Sequence, residues 1–252
     1  MSKILTFNNV NFSYFSKSGE TKAVENLNFS VESGEFLGIV GPSGCGKTTV
    51  LSLIAGLITP SSGEILLDGE KVVKPSAKIG YMLQKDELFE WRKVLANVLI
   101  GLEINKTKDK NSEEKARLIL SKYGLRNFEN KYPSELSGGM RQRVALIRTL
   151  LLNPSILLLD EPFSALDFQT RLSVCNDVSN IIKSENKTAI FVTHDISEAI
   201  SMCDRIIVLT SRPTTVKKIF TIDFDKSLTP LSRRNQPEFS EYFNLIWQEI
   251  QN

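Results

Sequence analysis

FLGIVGPSGCGKTTVLSLIAGL, residues 36–57, carries the strongest structural signal in this 252-residue chain. It begins with a short apolar run, typical of a buried strand, and ends in a segment with helical spacing that stops near Gly56. The glycine-rich loop between them fits the pattern GxxxxGK(S/T), and it lies between strand and helix, where a phosphate-binding loop must lie to work. The pattern predicts a P-loop made of Gly41, Pro42, Ser43, Gly44, Cys45, Gly46, Lys47 and Thr48.

The residue types of this loop suit a nucleotide bound with Mg²⁺. Glycines allow backbone angles that turn successive N–H groups inward, and the helix that begins near Lys47 adds the positive end of its dipole. Lys47 would supply a point charge to the β- and γ-phosphates, and the hydroxyl of Thr48 would be a ligand to Mg²⁺. Thr49 is the next residue of the same helix, and we expect it to contact the nucleotide as well.

A second motif is the apolar run ILLLDE, which ends in Asp160 and Glu161. The apolar residues alone indicate a buried strand, and the interpretation that assigns the two acids no function is a solvated strand end. However, the carboxyl end of such a strand is where an α/β sheet presents ligands and metals. We expect Asp160 to hold Mg²⁺, directly or through a water, and Glu161 to orient and deprotonate the attacking water.

Strand-like runs alternate with helical segments, which predicts an α/β fold with a largely parallel sheet. From about residue 86 to 153 the pattern is helical, and Asn111 with Glu114 has the form of a capping box. We therefore expect one domain over 1–252, with a core at 1–85 and 154–252 interrupted by a helical subdomain. The last segment, 237–250, predicts an amphipathic helix docked on the body, with a partner-binding helix as the alternative.

Composition narrows the function classes. Lys and Arg total 31 and Asp and Glu total 29, a formal net charge of +2, and this near-neutral balance disfavours nucleic acid as a partner. Hydrophobic content of 41% fits a globular chain, and no run approaches the length of a membrane span. The first residues lack the apolar region of a secretory signal. Three cysteines without CxxC spacing make a disulfide framework or zinc site a poor hypothesis.

The segment LSGGMRQ, residues 136–142, precedes a helix. Taken alone, Ser137 is an ordinary N-cap and the two glycines an ordinary turn. Together with the P-loop and the acidic pair, and at these spacings, the chain resembles the ATP-binding cassette (ABC) family, whose signature is LSGGQ or LSGGM. The resemblance implies that Ser137, Gly138 and Gly139 contact nucleotide.

The resemblance covers nearly the whole chain, residue by residue. Tyr14 matches the aromatic that stacks on adenine, although a strand-edge tyrosine is the plain alternative. Gln84 matches the glutamine that approaches Mg²⁺ and water and contacts the membrane partner. Asp167, in Ser-Ala-Leu-Asp, matches a motif at the dimer interface, and His194 matches the switch histidine that touches the γ-phosphate.

What the resemblance implies about the fold is a P-loop NTPase core with a mostly parallel central sheet, an N-terminal antiparallel β subdomain and an inserted α-helical subdomain. It also implies an assembly: the signature of one copy closes over ATP held by a second ATP-binding subunit, most simply in a homodimer. The further partners would be integral membrane permease subunits and, indirectly, an extracytoplasmic solute-binding protein. The chain would then lie peripherally on the cytoplasmic face of the cell membrane.

A narrower resemblance lies in residues 89–98 and 204–213, which look like the importer ATPases for nitrate, sulfonate and taurine. Two departures, Glu90 where Pro is frequent and Thr214 where Gly is frequent, blur the substrate assignment but not the ATPase. Residues 84–98 would line the groove that receives a short helix of the membrane subunit, while the alternative for Trp91 and its neighbours is core packing. The length of the chain further suggests no added regulatory domain.

Two other functions explain less of the sequence. A soluble ABC-type ATPase acting on nucleic acid or the ribosome would have two fused cassettes or a long coiled coil, and the sequence has neither. A P-loop kinase for a small molecule would need none of the signature residues, Asp167 or His194. The transporter ATPase accounts for all of these motifs, and an exporter is the less favoured form of it.

Overall fold

The computed structural model describes residues 2–17 and 19–251, so three positions of the expected 1–252 domain lie outside the described residues. The strands are β1 (Lys3–Ser16), β2 (Gly19–Glu32), β3 (Phe36–Val40), β4 (Ser62–Leu67), β5 (Glu70–Lys71), β6 (Ile79–Met82), β7 (Ile156–Asp160), β8 (Thr188–Val192), β9 (Arg205–Leu209) and β10 (Val216–Thr221). The helices are α1 (Lys47–Ile54), α2 (Val94–Ile104), α3 (Ser112–Lys122), α4 (Gly138–Leu150), α5 (Phe168–Ser184), α6 (Ile196–Met202), α7 (Pro230–Arg233) and α8 (Pro237–Gln251).

These strands form two sheets. The first is antiparallel, with the order β2-β1-β4-β5, and it confirms the expected N-terminal antiparallel β subdomain. The second has the order β10-β9-β3-β8-β7-β6, and its pairs are parallel except for β9 with β10. The predicted α/β class with a mostly parallel central sheet is therefore confirmed, and β10 is an antiparallel edge strand that the sequence did not reveal.

The central strands β3, β7 and β8 are buried along their whole length because both faces of the sheet are covered. Along β7, Ile156 and Leu158 join a core shared with α1 and the antiparallel sheet. Leu157 and Leu159 join the other core, against the helices α2 to α6. Each of these four side chains is completely buried. Because alternate side chains of β7 pack into the two cores, the strand is held on both faces of the sheet, and Asp160 lies at its end.

The helices α2, α3 and α4 lie between β6 and β7 in the chain, as the helical pattern predicted. One local prediction was wrong: Asn111 has helical backbone angles, and its side chain makes no cap hydrogen bond. The turn before α3 is closed by Asp109, whose Oδ1 accepts from Ser112 Oγ at 2.6 Å while its own N–H donates to that hydroxyl at 2.9 Å. Asp109 and Ser112 thus pair with each other across the start of α3, and the Asn111 N–H donates to the same Asp109 Oδ1 at 3.1 Å.

The C-terminal helix packs on the body, as expected for the amphipathic segment. Ile246 is completely buried, and Phe239, Phe243 and Ile250 pack against the helical-side core. The three cysteines are buried free thiols. Across residues 2–17 and 19–251, no helix combines the length and apolarity that crossing a membrane demands.

Candidate functional site

The P-loop joins the end of β3 to the start of α1, as predicted. Gly44 and Gly46 have φ of 72° and 121°, angles that L side chains rarely adopt, so glycine is required at both. Gly46 is the N-cap residue of α1 and offers no side-chain cap, so the N–H groups of the first helical turn are open to an external acceptor. Lys47 Nζ donates to the carbonyls of Gly41 at 3.0 Å and Pro42 at 3.1 Å, which folds the ammonium over the loop.

The loop after β9 supports the P-loop from behind. Arg212 Nη2 donates to Gly44 O at 2.7 Å, and the Thr214 hydroxyl donates to Cys45 O. A Cβ on Gly46 would lie only 3.0 Å from Thr214 Oγ1. Two of the carbonyls in the P-loop are thereby held by side chains from behind. The sequence reasoning missed these two supports because nothing local links residues so far apart in the chain.

The acidic pair lies at the C-terminal end of β7, next to the P-loop helix. Asp160 is 7% exposed, and burial raises the pKa of its carboxyl although hydrogen bonds from Tyr81 and Thr48 oppose the rise. Tyr81 OH donates to Asp160 Oδ2 at 3.2 Å. A carboxylate beside a threonine hydroxyl is a hard-oxygen donor set of the kind that Mg²⁺ takes with phosphate oxygens, so these residues fit that cation.

Glu161 adopts a left-handed backbone angle, with φ of 45°, directly after the strand. Such a conformation is costly for a non-glycine residue and is held here by the hydrogen bond from Glu161 N to Val192 O at 2.9 Å. It brings the carboxylate to His194, whose Nδ1 lies 3.1 Å from Glu161 Oε2. Gln84 Nε2 donates to Ser164 Oγ at 3.2 Å and lies 3.5 Å from the same Oε2. Three residues that the sequence proposed for catalysis therefore meet at one carboxylate oxygen.

Tyr14 lies on the antiparallel sheet, next to the P-loop helix. Its hydroxyl is 3.1 Å from Thr49 Oγ1 on α1, and the edge of the Phe12 ring supports it at a centroid distance of 4.8 Å. The side chain is 45% exposed. An aromatic face is thus presented to solvent next to the P-loop helix.

The signature residues begin α4. Ser137 is the N-cap, and its Oγ accepts from Met140 N at 3.3 Å. A Cβ on Gly138 would lie 2.9 Å from Cδ2 of Leu166, and one on Gly139 would lie 2.7 Å from Cγ2 of Val174. The two glycines therefore let the start of α4 approach the segment that leads into α5.

Asp167 lies at the neighbouring helix start. It is the N-cap of α5, where its Oδ1 accepts from Thr170 N at 3.0 Å. Within the described part of the chain, no hydrogen bond or ion pair joins Asp167 or residues 137–139 to the P-loop. The predicted site residues thus fall into two groups: the P-loop with its acids, Gln84, Tyr14 and His194, and the signature with Asp167.

The segment between β6 and α2 is pinned to the helical subdomain. Arg141 on α4 makes two hydrogen bonds to the Asp86 carboxylate, at 2.8 and 2.9 Å, and an ion pair with Glu90 at 2.7 Å. Asn97, fully buried, accepts from Phe89 N at 2.7 Å. This scaffold holds Trp91 outward with 75% of its surface exposed. Core packing, the alternative considered for Trp91, is therefore wrong for that residue, whereas Val94 of the same segment is completely buried.

Comparison with known proteins assigns the family. The ABC transporter family matches residues 24–164. An uncharacterized ABC transporter ATP-binding protein of Bacillus subtilis (strain 168), YtlC, is 50% identical over 98% of this chain and 95% of its own length. The aliphatic sulfonates import ATP-binding protein SsuB of Bacillus anthracis is 43% identical over 98% of this chain and 96% of its own length.

A solved structure agrees in fold. The dimeric structure of MJ0796, described as a bacterial ABC transporter cassette, superimposes with a TM-score of 0.74 at 32% sequence identity. It covers 88% of this chain and 100% of its own. The fold, the phosphate-binding loop and these relationships agree: the chain belongs to the ABC transporter family, as an ATP-binding subunit with ATPase activity.

Proposed function

We propose that this chain powers an importer of small solutes, of the nitrate, sulfonate or taurine type, by closing with a second copy around two ATP molecules. The observation that supports this most is the division of the site residues into two groups within one chain. The start of α4 packs on Leu166, at the lead into α5, instead of on the P-loop. A second copy is the simplest source of the missing half of each site.

Hydrolysis would use the first group. Lys47 and the open N–H groups at the start of α1 bind the phosphates, and Tyr14 stacks on adenine. Thr48 and Asp160 would hold Mg²⁺ with help from Gln84, and the cation would neutralise charge that develops on the phosphate oxygens. Glu161 accepts a proton from the attacking water, and His194 donates a hydrogen bond toward the γ-phosphate.

The second group would close the site from the partner copy. Ser137, Gly138 and Gly139 present a helix N-terminus to the γ-phosphate of the nucleotide held by the other P-loop. Asp167 lies at the same end of the molecule and would line the interface. Loss of the γ-phosphate then removes a contact made only in the closed dimer, so hydrolysis shifts the equilibrium toward the open state.

The membrane permease would dock on residues 84–98. This segment begins with Gln84 at the catalytic carboxylate and presents Trp91 to solvent on a scaffold held by Arg141 and Asn97. A rigid exposed aromatic is the kind of side chain that anchors interfaces. The chain would thus sit peripherally on the cytoplasmic face of the membrane, with the solute-binding protein reached only through the permease.

We also propose the expected domain division, with a core at 1–85 and 154–252 and a helical subdomain at about 86–153. What supports it is where the chain leaves the central sheet and returns to it. It leaves after β6, which ends at Met82, and returns at β7, which begins at Ile156 and pairs with β6. The helices α2 to α4 therefore leave and re-enter the sheet at one edge.

The variant Glu161→Gln tests the proposed function. It should bind Mg-ATP, fail to hydrolyse it and shift from monomer to dimer, which size-exclusion chromatography with light scattering would detect. Glu161→Gln combined with Lys47→Ala is the control, since it should stay monomeric at the same ATP concentration. A Glu161→Gln chain that binds ATP and stays monomeric would contradict the two-copy mechanism, and brisk turnover would contradict the role of Glu161.

A further inference from the structure

A buried polar network lies directly behind His194, outside the group of residues assigned to nucleotide. Thr193 is 1% exposed and its hydroxyl donates to Glu198 Oε2 at 2.6 Å. The same oxygen of Thr193 accepts from Asp195 N at 3.0 Å. The residues on both sides of the His194 peptide are thus fixed by one hydroxyl, and this hydroxyl is fixed by Glu198.

Glu198 is an unusual residue to bury. It is 3% exposed on α6, and burial raises the pKa of its carboxyl. Its second oxygen, Oε1, has no hydrogen-bond partner among the described residues. A buried carboxylate oxygen without a partner costs free energy, so the fold retains Glu198 against a penalty.

Arg171 on α5 lies across from that oxygen. Its Nε is 3.7 Å from Glu198 Oε1, and its Nη1 is 3.7 Å from Asp195 Oδ2. These are ion pairs longer than a charge-assisted hydrogen bond, which takes about 2.7–2.9 Å. Nε likewise has no hydrogen-bond partner in the described part of the chain. A donor and an acceptor that match each other are therefore held just out of bonding distance.

The other end of Arg171 is attached to the segment before α5. Its Nη2 donates to Leu166 O at 3.0 Å. Leu166 is also the side chain next to Gly138 of the signature, where a Cβ added to the glycine would lie 2.9 Å from Leu166 Cδ2. One guanidinium thus joins the backbone beside the signature to the helix that follows His194.

We infer that Arg171, Glu198 and Thr193 are positioning residues that set the place of His194 according to the position of Leu166. Movement of Leu166 by on the order of 1 Å would carry Arg171 into or out of hydrogen-bonding distance of Glu198. Thr193 would pass that change to the His194 backbone. This inference rests on the proposed function, and it adds that the signature side of each copy adjusts the histidine of that same copy.

Two substitutions separate the steps of the network. Thr193→Val keeps the shape and removes the hydroxyl, while Thr193→Ser restores it. Glu198→Gln keeps an acceptor for Thr193 and turns an amide toward Arg171, which breaks only the link to α5. Misplacement of a catalytic group by about 1 Å can lower a rate on the order of 10²-fold. We therefore expect kcat for ATP hydrolysis to fall at least about tenfold in Thr193→Val and Glu198→Gln, with KM for Mg-ATP changed less than about threefold, and to recover in Thr193→Ser.

The matched control is Asp177→Asn, which breaks an ion pair with Arg143 at 3.4 Å on the same helix as Arg171. It should leave kcat within about twofold of wild type. His194→Ala combined with Glu198→Gln should be no slower than His194→Ala alone, since residues acting through one group are not additive. Equal losses in Asp177→Asn and Glu198→Gln, or losses that simply add to His194→Ala, would overturn the inference.

Failure of the two proposals is distinguishable. An inactive wild type, with ATP bound, would overturn the proposed function and this inference with it. An active wild type that His194→Ala slows strongly, while Thr193→Val and Glu198→Gln keep wild-type kcat, would overturn the inference alone. If the melting curve shows that Thr193→Val folds poorly, Glu198→Gln and Arg171→Lys test the inference instead. Glu198→Gln retains the packing and Arg171→Lys retains the charge, and the same kcat and KM are measured for both.

Discussion

Replacing Gly139 by alanine should slow ATP hydrolysis strongly while lowering the free energy of unfolding only slightly. A Cβ at this position would lie 2.7 Å from Cγ2 of Val174 and 3.3 Å from Cγ2 of Thr170, both on α5. These neighbours are β-branched and restricted in their rotamers within a helix, so they cannot readily turn away. The start of α4 must therefore move outward by on the order of 1 Å to restore ordinary carbon–carbon contact.

Two opposing terms set the change in the free energy of unfolding. Overpacking a well-packed contact costs about 1–3 kcal/mol, whereas alanine is favoured over glycine inside a helix by about 1 kcal/mol. The net destabilisation is then about 0–2 kcal/mol, or a fall in melting temperature of at most about 8 °C for a chain of this size. The same shift of about 1 Å moves the signature, and a misplacement of that size lowers rates on the order of 10²-fold.

Gly101→Ala is the matched control. Gly101 is also a helical glycine, in α2, and its Cβ would lie 2.9 Å from both Cδ atoms of Leu152, the flexible end of a side chain that can give way. Phosphate release at saturating Mg-ATP and melting temperature should be measured for both variants. We expect Gly101→Ala to keep nearly full turnover and Gly139→Ala to lose at least about tenfold. A Gly139→Ala variant as active as the control would refute the packing argument or the role of the signature.

Three further predictions concern separate parts of the molecule. Lys47→Ala removes the ammonium folded over the P-loop and should weaken nucleotide affinity at least about tenfold in a fluorescent-nucleotide titration, because phosphate charge is then poorly neutralised; unchanged affinity would contradict that role. Trp91→Ala should leave the melting temperature nearly unchanged, because the ring is 75% exposed, yet reduce co-purification with coexpressed permease subunits. Trp247→Ala, on α8, is its control and should keep that association, whereas equal retention of both would contradict the docking surface. Glu185 accepts a hydrogen bond from Lys122 at 2.6 Å, which lowers the pKa of Glu185 below its usual 4.5. A lowered pKa stabilises the fold above the unfolded-state value and loses that contribution as the pH falls through the folded-state value. Glu185→Gln should therefore cost less than about 1 kcal/mol in urea unfolding at about pH 7. The difference should shrink as the pH falls below the ordinary pKa of a glutamate and through the lowered pKa of Glu185 in the fold. A difference that does not shrink as the pH falls would show that packing, not charge, is involved.

The parts of the site that the sequence predicted are those with a local cause. The P-loop could be placed because its glycines, its lysine and the flanking strand and helix are contiguous in the chain. Asp160 and Glu161 could be placed because the apolar run before them is buried on both faces of the sheet. His194 and Gln84 required the family resemblance, since a single histidine or glutamine carries no chemistry in isolation.

The parts that escaped prediction depend on pairing between distant segments. Tyr81 reaches Asp160 because β6 lies beside β7, with Tyr81 in register with Leu158, and a parallel alignment of these two runs could have found it. Arg171 and Glu198 meet only because α5 and α6 pack side by side. The spacing of Asn111 and Glu114 predicts a capping box, whereas Asp109 pairs with Ser112 at this helix start through a hydrogen bond that the spacing does not show.

The burial of the three thiols has a practical consequence for spectroscopy. Cys45, Cys175 and Cys203 are 1%, 2% and 0% exposed, and burial raises the pKa of each thiol, so each stays protonated and shielded in the folded chain. Since maleimide reagents react with the accessible thiolate, the native chain should label slowly. A single cysteine introduced at an exposed position such as Leu57 would then carry a fluorophore selectively. Distances between two labelled copies could be followed without replacing any native cysteine, including the one inside the P-loop.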